Sequence, residues 1–325
     1  MQGKEPSDQE TQYCTVGIDV SQSWLDVYIH PSETRLRVAN DRSGIAKLKR
    51  RLLPMAADFV AVEATGRWHL QLCRSLSASG IAIRVVDPYR VRMFARASGI
   101  VAKTDLLDAK VLALYAALMQ PSARELSPEV LEKLKELVTA RASAVDERTA
   151  VENQLHAATD RFLKSQLTRR IDQLDSHVTA LEKECLKRIK ADATLARRYE
   201  ILISVPGIGM LNAINLIVRL PELGSLTDKQ IAALAGLAPV ADDSGQRRGT
   251  RVIWGGRGPV RWMLYMAAMN ASQHNPDLKA YYQRLKATGK EAKHAYIAVA
   301  RKLIVLANLL LAQDRLWQPV APKIA

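Results

Sequence analysis

Thr15-Val16-Gly17-Ile18-Asp19-Val20 is the stretch from which the fold is read. β-Branched residues alternate at Val16, Ile18 and Val20, the pattern of a buried strand. Asp19 stands near its end. A carboxylate there is costly to bury unless charge or hydrogen bonds compensate it, and a metal ion is one such partner. Outward from this strand, a second runs from Trp24 to His30 across the short Ser21-Gln22-Ser23 link, and a third is expected at 35–39. A basic helix at 43–53 stops before Pro54, and a fourth strand runs from Asp58 to Glu63. A helix at 67–79 ends at Gly80, a natural C-cap. The fifth strand, Ile81 to Val86, reaches Asp87-Pro88. Helices at 88–98 and 105–119 complete the region, the second with Thr104 as its N-cap.

Three strands in a meander, then helix and strand in alternation, is an α/β order that matches the ribonuclease-H-like topology. Its acidic residues are spaced to meet. Glu63 ends the fourth strand, and Asp105 and Asp108 share one face of a helix's first turn. With Asp19 they make an Asp-Glu-Asp-Asp set of hard oxygen donors, the kind Mg²⁺ takes for phosphoryl transfer. Each has a plainer reading: first-turn acids are favoured by the helix dipole, and Glu63 could face water. Asp26 and Asp87 read as a strand-surface residue and a turn residue. A strand bearing Gly-Ile-Asp also opens the actin-like kinases, but no second glycine-rich phosphate loop on a repeated domain follows here.

The chain has 325 residues, enough for two or three domains, and its 48% hydrophobic and 25% charged residues are ordinary. Its net charge of +14, from 47 Lys+Arg against 33 Asp+Glu, is not, and favours a polyanionic partner. We read no apolar run of the ~18 residues a spanning helix needs, and no signal peptide in the polar residues 1–12, so nucleic acid is favoured over a membrane. Cys14, Cys73 and Cys185 lie far apart with no CxxC, so neither a disulfide framework nor a zinc site is indicated, and a reducing cytoplasm fits.

Residues 1–13 read as a disordered tail, 14–120 as the α/β domain, 121–199 as a helical linker and 200–325 as a mainly helical domain. After Ser127-Pro128 no Gly or Pro occurs until Pro206. Leu131, Leu134, Val138 and Val145, then Ile171, Leu174, Val178, Leu181 and Cys185, keep a spacing of three and four, which predicts two long helices paired as a coiled-coil hairpin, within or between chains, with a helical linker packed on one domain as the alternative. Beyond them, Ser204-Val205-Pro206-Gly207-Ile208-Gly209 precedes a helix at 210–220. It reads either as a helix-hairpin-helix element gripping a phosphate backbone through Gly207 and Gly209, or as a tight turn. Between Asp242 and Lys302 there are 12 Lys+Arg and 4 Asp+Glu, so the basic charge is concentrated here. Ser244, in Asp243-Ser244-Gly245, is ringed by Arg247, Arg248, Arg251, Arg257 and Arg261, candidates for nucleic-acid binding. A serine there is placed to meet a phosphodiester but needs activation to attack it.

These motifs together resemble the DEDD transposases of bacterial insertion sequences, the one-ten family, whose relatives include the Piv invertases. The N-terminal signature stands as Gly17-Ile18-Asp19, Val62-Glu63-Ala64-Thr65-Gly66 and Lys103-Thr104-Asp105-Leu106-Leu107-Asp108-Ala109. The C-terminal signature stands as Val205-Pro206-Gly207-Ile208-Gly209, Gly236-Leu237-Ala238-Pro239, Asp243-Ser244-Gly245 and Gly258-Pro259-Val260-Arg261. Ile253-Trp254-Gly255-Gly256-Arg257 is similar to the eleven-eleven subgroup. The resemblance implies a RuvC-like N-terminal domain binding Mg²⁺ through Asp19, Glu63, Asp105 and Asp108. It implies a C-terminal transposase domain in which Ser244 joins covalently to a DNA 5′ phosphate. It further implies a homo-oligomer, dimer or tetramer, that acts on donor and target DNA under a structured guide RNA, the bridge or seek RNA. The competing reading is a RuvC-like nuclease or junction resolvase in which water attacks and Ser244 is structural.

Overall fold

The structure, a computed structural model, describes residues 13–64, 66–100, 105–122, 127–240, 249 and 251–319, the side chains of Asp105 and Leu106 excepted. It divides into two compact units, Met1–Leu126 and Ser127–Ala325.

The first unit is built on β1 (Thr15–Val20), flanked by antiparallel β2 (Trp24–His30) and parallel β4 (Phe59–Glu63). With β3 (Thr34–Ala39) and β5 (Ile83–Val86) the sheet order is β3-β2-β1-β4-β5. Because side chains alternate along a strand, β1 serves two layers. Val16, Ile18 and Val20 face a core with Ile45, Leu48 and Leu52 of α1 (Arg42–Leu52) and Leu72, Cys73 and Leu76 of α2 (Leu70–Ser77). On the opposite face lie α3 (Pro88–Ala97) and α4 (Asp105–Met119), where Val91, Val111, Leu112, Tyr115 and Ala116 pack on Ala61 and Val86. Asp41 caps α1 by accepting from the Gly44 N–H at 2.7 Å, and Asp87 caps α3 from Tyr89 at 2.7 Å, so Asp87 does more than turn the chain. Tyr13, assigned to the tail by sequence, tilts its ring on Phe59 at 5.8 Å. Residues 1–12 and Thr104 lie outside the described residues.

The second unit opens with α5 (Glu129–Ala157) and α6 (Arg161–Ala191), which pair antiparallel. Asp192 accepts from the Leu195 N–H at 2.9 Å and starts a separate helix, α7 (Ala193–Ile203), a break the apolar spacing did not announce. The far half of the hairpin has its own small core of Ala144, Val151, Leu174 and Val178. Its near half, through Leu131, Leu134, Val138, Cys185 and Ile189, shares the large core of the helices that follow. Those are α8 (Met210–Arg219), α9 (Asp228–Leu234), α10 (Gly258–His274), α11 (Pro276–Ala287) and α12 (Ala292–Ala312), with the short ribbon β6 (Pro239–Val240) and β7 (Val252–Ile253). The hairpin base therefore shares one core with α7 to α12. α12 corrects one sequence reading: by length and hydropathy it could cross a membrane. Ala295, Val299, Ala300, Leu303, Ile304, Ala307 and Leu310 are instead buried against this core, so it is a core helix.

Candidate active site

Thr15, Gly17 and Asp19 project from the α4 face of β1. Thr15 Oγ1 donates to the Ala113 carbonyl at 2.9 Å. A Cβ on Gly17 would lie 2.0 Å from the Ala109 carbonyl and 2.5 Å from the Ala113 nitrogen, so only glycine lets α4 lie against the strand here. Moving along β1 from Thr15 to Gly17 moves back along α4 from Ala113 to Ala109. The next residue on this face is Asp19, and the same direction along α4 leads toward its first turn, which begins at Asp105 and holds Asp108. Glu63 arrives from β4. It follows Ala61 on the α4 side and stands one residue beyond the last paired rung, Ile18 with Val62. Asp19, Glu63 and Asp108 are all half-buried.

Asp19 and Glu63 thus stand near the C-terminal ends of the adjacent parallel strands β1 and β4, and Asp108 stands in the first turn of α4, the positive end of its dipole. The side chain of Asp105 lies outside the described residues. Among the described residues, no group of three or more His, Cys, Asp or Glu forms a metal-holding cluster.

Two neighbours escaped the sequence reading. Asp26 is the register partner of Asp19, and Arg37 is the partner of Asp26. Asp26 is buried, not on the strand surface, and Arg37 grips it with both fork nitrogens, Nε to Oδ1 at 2.7 Å and Nη2 to Oδ2 at 2.9 Å. The charge beside Asp19 is therefore compensated. Asn40 Nδ2 donates to the Ser21 carbonyl at 2.8 Å and the Trp68 carbonyl at 3.2 Å. It ties the segment after Asp19 to the segment after Glu63. Hydrophobic alternation gives no sign of either, although the β2–β3 register does place Asp26 opposite Arg37.

In the second unit, α7 and α8 are joined by the Val205-to-Gly209 turn. Gly207 has φ +108°, and a Cβ there would lie 2.4 Å from the Ala271 Cβ, so this glycine is required by packing on α10. Gly209 is the N-cap of α8, with open space where a Cβ would be and no side-chain cap. β6 pairs with β7, Pro239 with Ile253 and Val240 with Val252, and the chain carrying Ser244 connects them. Ser244, Arg247 and Arg248 lie outside the described residues. Arg251 is exposed. Arg257 and Arg261 are turned inward. Arg257 forks onto Glu222 at 2.7 and 2.8 Å, and its Nη1 also donates to the Arg219 carbonyl. Arg261 donates to the Gly255 carbonyl at 2.8 Å. Both hold the 254–258 turn in place, and Glu222, 35 residues before Arg257, could not be assigned to it from spacing.

Against known proteins, a family model for DEDD transposases of the IS110 group matches residues 16–164. A second model, described as the transposase IS116/IS110/IS902 family, matches residues 199–283. The chain is 26% identical over 316 residues to the pilin gene-inverting protein of Moraxella bovis, covering 92% of this chain and 96% of that protein. It is 29% identical over 152 residues to an uncharacterized 44.8 kDa protein of insertion element IS116 from Streptomyces clavuligerus, 46% of this chain and 37% of that one. A 43.6 kDa protein of insertion element IS110 from Streptomyces coelicolor is 28% identical over 124 residues, 38% of this chain and 31% of that one. The first model spans the unit that carries the acids and runs on through α5 into α6, the second spans the helices around the β6–β7 ribbon, and the chain belongs to the IS116/IS110/IS902 family of transposases, enzymes that transpose or recombine DNA.

Proposed function

We propose that this chain is the recombinase of an insertion sequence, cleaving and exchanging DNA strands with Mg²⁺ through a covalent 5′-phosphoserine at Ser244. The observation that supports the proposal is the placement of Asp19 and Glu63 near the ends of the adjacent parallel strands β1 and β4, with Asp108 in the first turn of α4. A ribonuclease-H-like, RuvC-like domain is supported by the strand order β3-β2-β1-β4-β5 with β2 alone antiparallel to the central strand. The donors fit a hard divalent cation: all are carboxylates, and the neighbouring acid, Asp26, is already occupied by Arg37. Asp19, Glu63, Asp105 and Asp108 would hold the metal, which when bound stabilises charge on the scissile phosphate.

The remaining steps belong to the chain. The Ser244 Oγ–P bond forms as the P–O3′ bond breaks, and the hydroxyl proton ends on the departing 3′ oxygen. A 3′-hydroxyl of the partner strand then attacks the phosphoserine, restoring the serine and sealing the new junction. No high-energy cofactor is consumed, because the bond energy is retained in the enzyme–DNA ester. The basic residues between Asp242 and Lys302 support binding of donor and target DNA and of a guide RNA alike.

The chain works as a dimer or tetramer in this reading, and the coiled-coil form of its hairpin is supported by ion pairs between α5 and α6. Arg141–Glu182 and Arg148–Asp175 lie seven residues apart on each helix, one heptad.

Incubation with element-end DNA, followed by denaturing electrophoresis, tests the serine. Ser244→Ala abolishes the protein–DNA adduct, while Asp19→Asn lowers its rate by orders of magnitude. An adduct that persists in Ser244→Ala rules out the serine mechanism.

A further inference from the structure

Trp254 and Trp262 are 71% and 69% exposed, on the turn after β7 and the first turns of α10. Val240 and Val252, the paired ends from which the Ser244 segment departs and returns, are exposed as well, and so is Met266, one turn beyond Trp262. Exposed apolar residues on consecutive stretches of ribbon, turn and helix point to an interaction surface.

The mount is rigid. The Arg257 N–H donates to the Leu234 carbonyl at 2.8 Å, and its guanidinium is forked onto Glu222. Arg261 holds the Gly255 carbonyl, and a Cβ on Gly256 would lie 2.3 Å from the Gly236 nitrogen. Trp254 is thus held out to solvent by a turn fixed from three sides. A rigid aromatic ring binds at low entropic cost.

We propose that Trp254 and Trp262 are a stacking platform for unpaired bases of the DNA strand on which Ser244 acts. The occupant is chosen by charge. Arg251 is exposed at the foot of β7, and the chain from Asp242 to Lys302 carries 12 basic against 4 acidic residues, of which Arg257 and Arg261 are turned onto the loop itself. An apolar surface set among cations suits a base still joined to its phosphate. Bases within a duplex are covered by their neighbours, so the platform takes bases that have left the stack. The choice of DNA over RNA rests on the reading of Ser244 as the nucleophile.

The test uses the full chain and fluorescence anisotropy with a 20-nucleotide mixed-sequence single strand of DNA, its RNA counterpart and the matching DNA duplex, at several salt concentrations. Trp254→Ala and Trp262→Ala each weaken single-stranded DNA binding about 5- to 100-fold, the range of one lost stacking contact. Trp254→Phe recovers most of the loss. Duplex affinity and salt dependence stay unchanged, because no phosphate contact is removed. Equal losses on single strand and duplex, or a loss confined to RNA, overturn the proposal. So does a change of oligomer mass in light scattering, which would make this face a contact between copies. A wild-type chain that forms no serine adduct while the tryptophan variants still lose single-stranded DNA defeats the serine reading alone. Unchanged single-strand binding in both variants defeats the platform alone.

Discussion

Gly17 has no side chain, and α4 takes the space. Gly17→Ala would press a methyl group against the Ala109 carbonyl and the Leu112 Cβ. We expect a loss of about 3 kcal/mol, the upper end of core overpacking, together with displacement of β1 from α4. Chemical denaturation checks the first effect. Cys73 gives a second residue-scale prediction. Burial raises its thiol to about 12 from an ordinary value of 9.0. The folded form therefore keeps a proton that the unfolded chain releases, so the contribution is fully present below pH 9 and is lost as pH rises toward 12. Thermal melts from pH 8 to 11.5 will show falling stability, with a shallower slope in Cys73→Ala. At this scale the sequence showed which acids to consider, since Asp19 ends an apolar strand and Asp105 and Asp108 open a helix. It did not show that Asp26 is buried beside Asp19, because alternation reveals which face a residue is on and not what covers that face. Nor did it separate arginines that hold the protein together from those left for a ligand. Arg257 and Arg261 looked like ligands for phosphate, and both turn out to anchor a loop.

The hairpin shows the same division among elements. Its existence was legible from a long stretch free of Gly and Pro, with apolar residues three and four apart. The break at Asp192 was not, because an aspartate serves as well on a helix surface as at an N-cap. The packing of the hairpin predicts uneven stability along its length. Leu134 is fully buried in the large core, and Leu134→Ala should cost about 2–5 kcal/mol and lower the melting temperature of the whole unit. Leu174 belongs to the small far cluster, backed by the Arg148–Asp175 and Arg170–Glu147 pairs at the surface. Exposed ion pairs of this kind add little. Leu174→Ala should speed amide hydrogen exchange in residues 144–178 and leave the main transition nearly unmoved. Exchange measured by mass spectrometry distinguishes the two outcomes.

For the molecule as a whole, the net charge of +14 sets the strength of non-specific binding. If about six phosphates are neutralised, affinity for random duplex DNA should fall roughly 10³-fold between 50 and 200 mM salt. A salt titration by anisotropy measures the slope directly, and a flat response would remove the electrostatic account. The two-unit organisation has a further consequence, in time. β1 is made first, yet it is the centre of its sheet, and its α4 side is closed by an interaction between Thr15 and Ala113, 98 residues apart. Contacts that distant form late, because a long loop must close before they reward it. During synthesis, Asp19 waits on a half-covered strand until α4 has emerged from the ribosome. The serine follows more than a hundred residues after that. Under the proposed mechanism a nascent chain therefore acquires its acids before its serine, and cannot attach itself to DNA until residue 244 of 325, about three quarters of the protein, has been made.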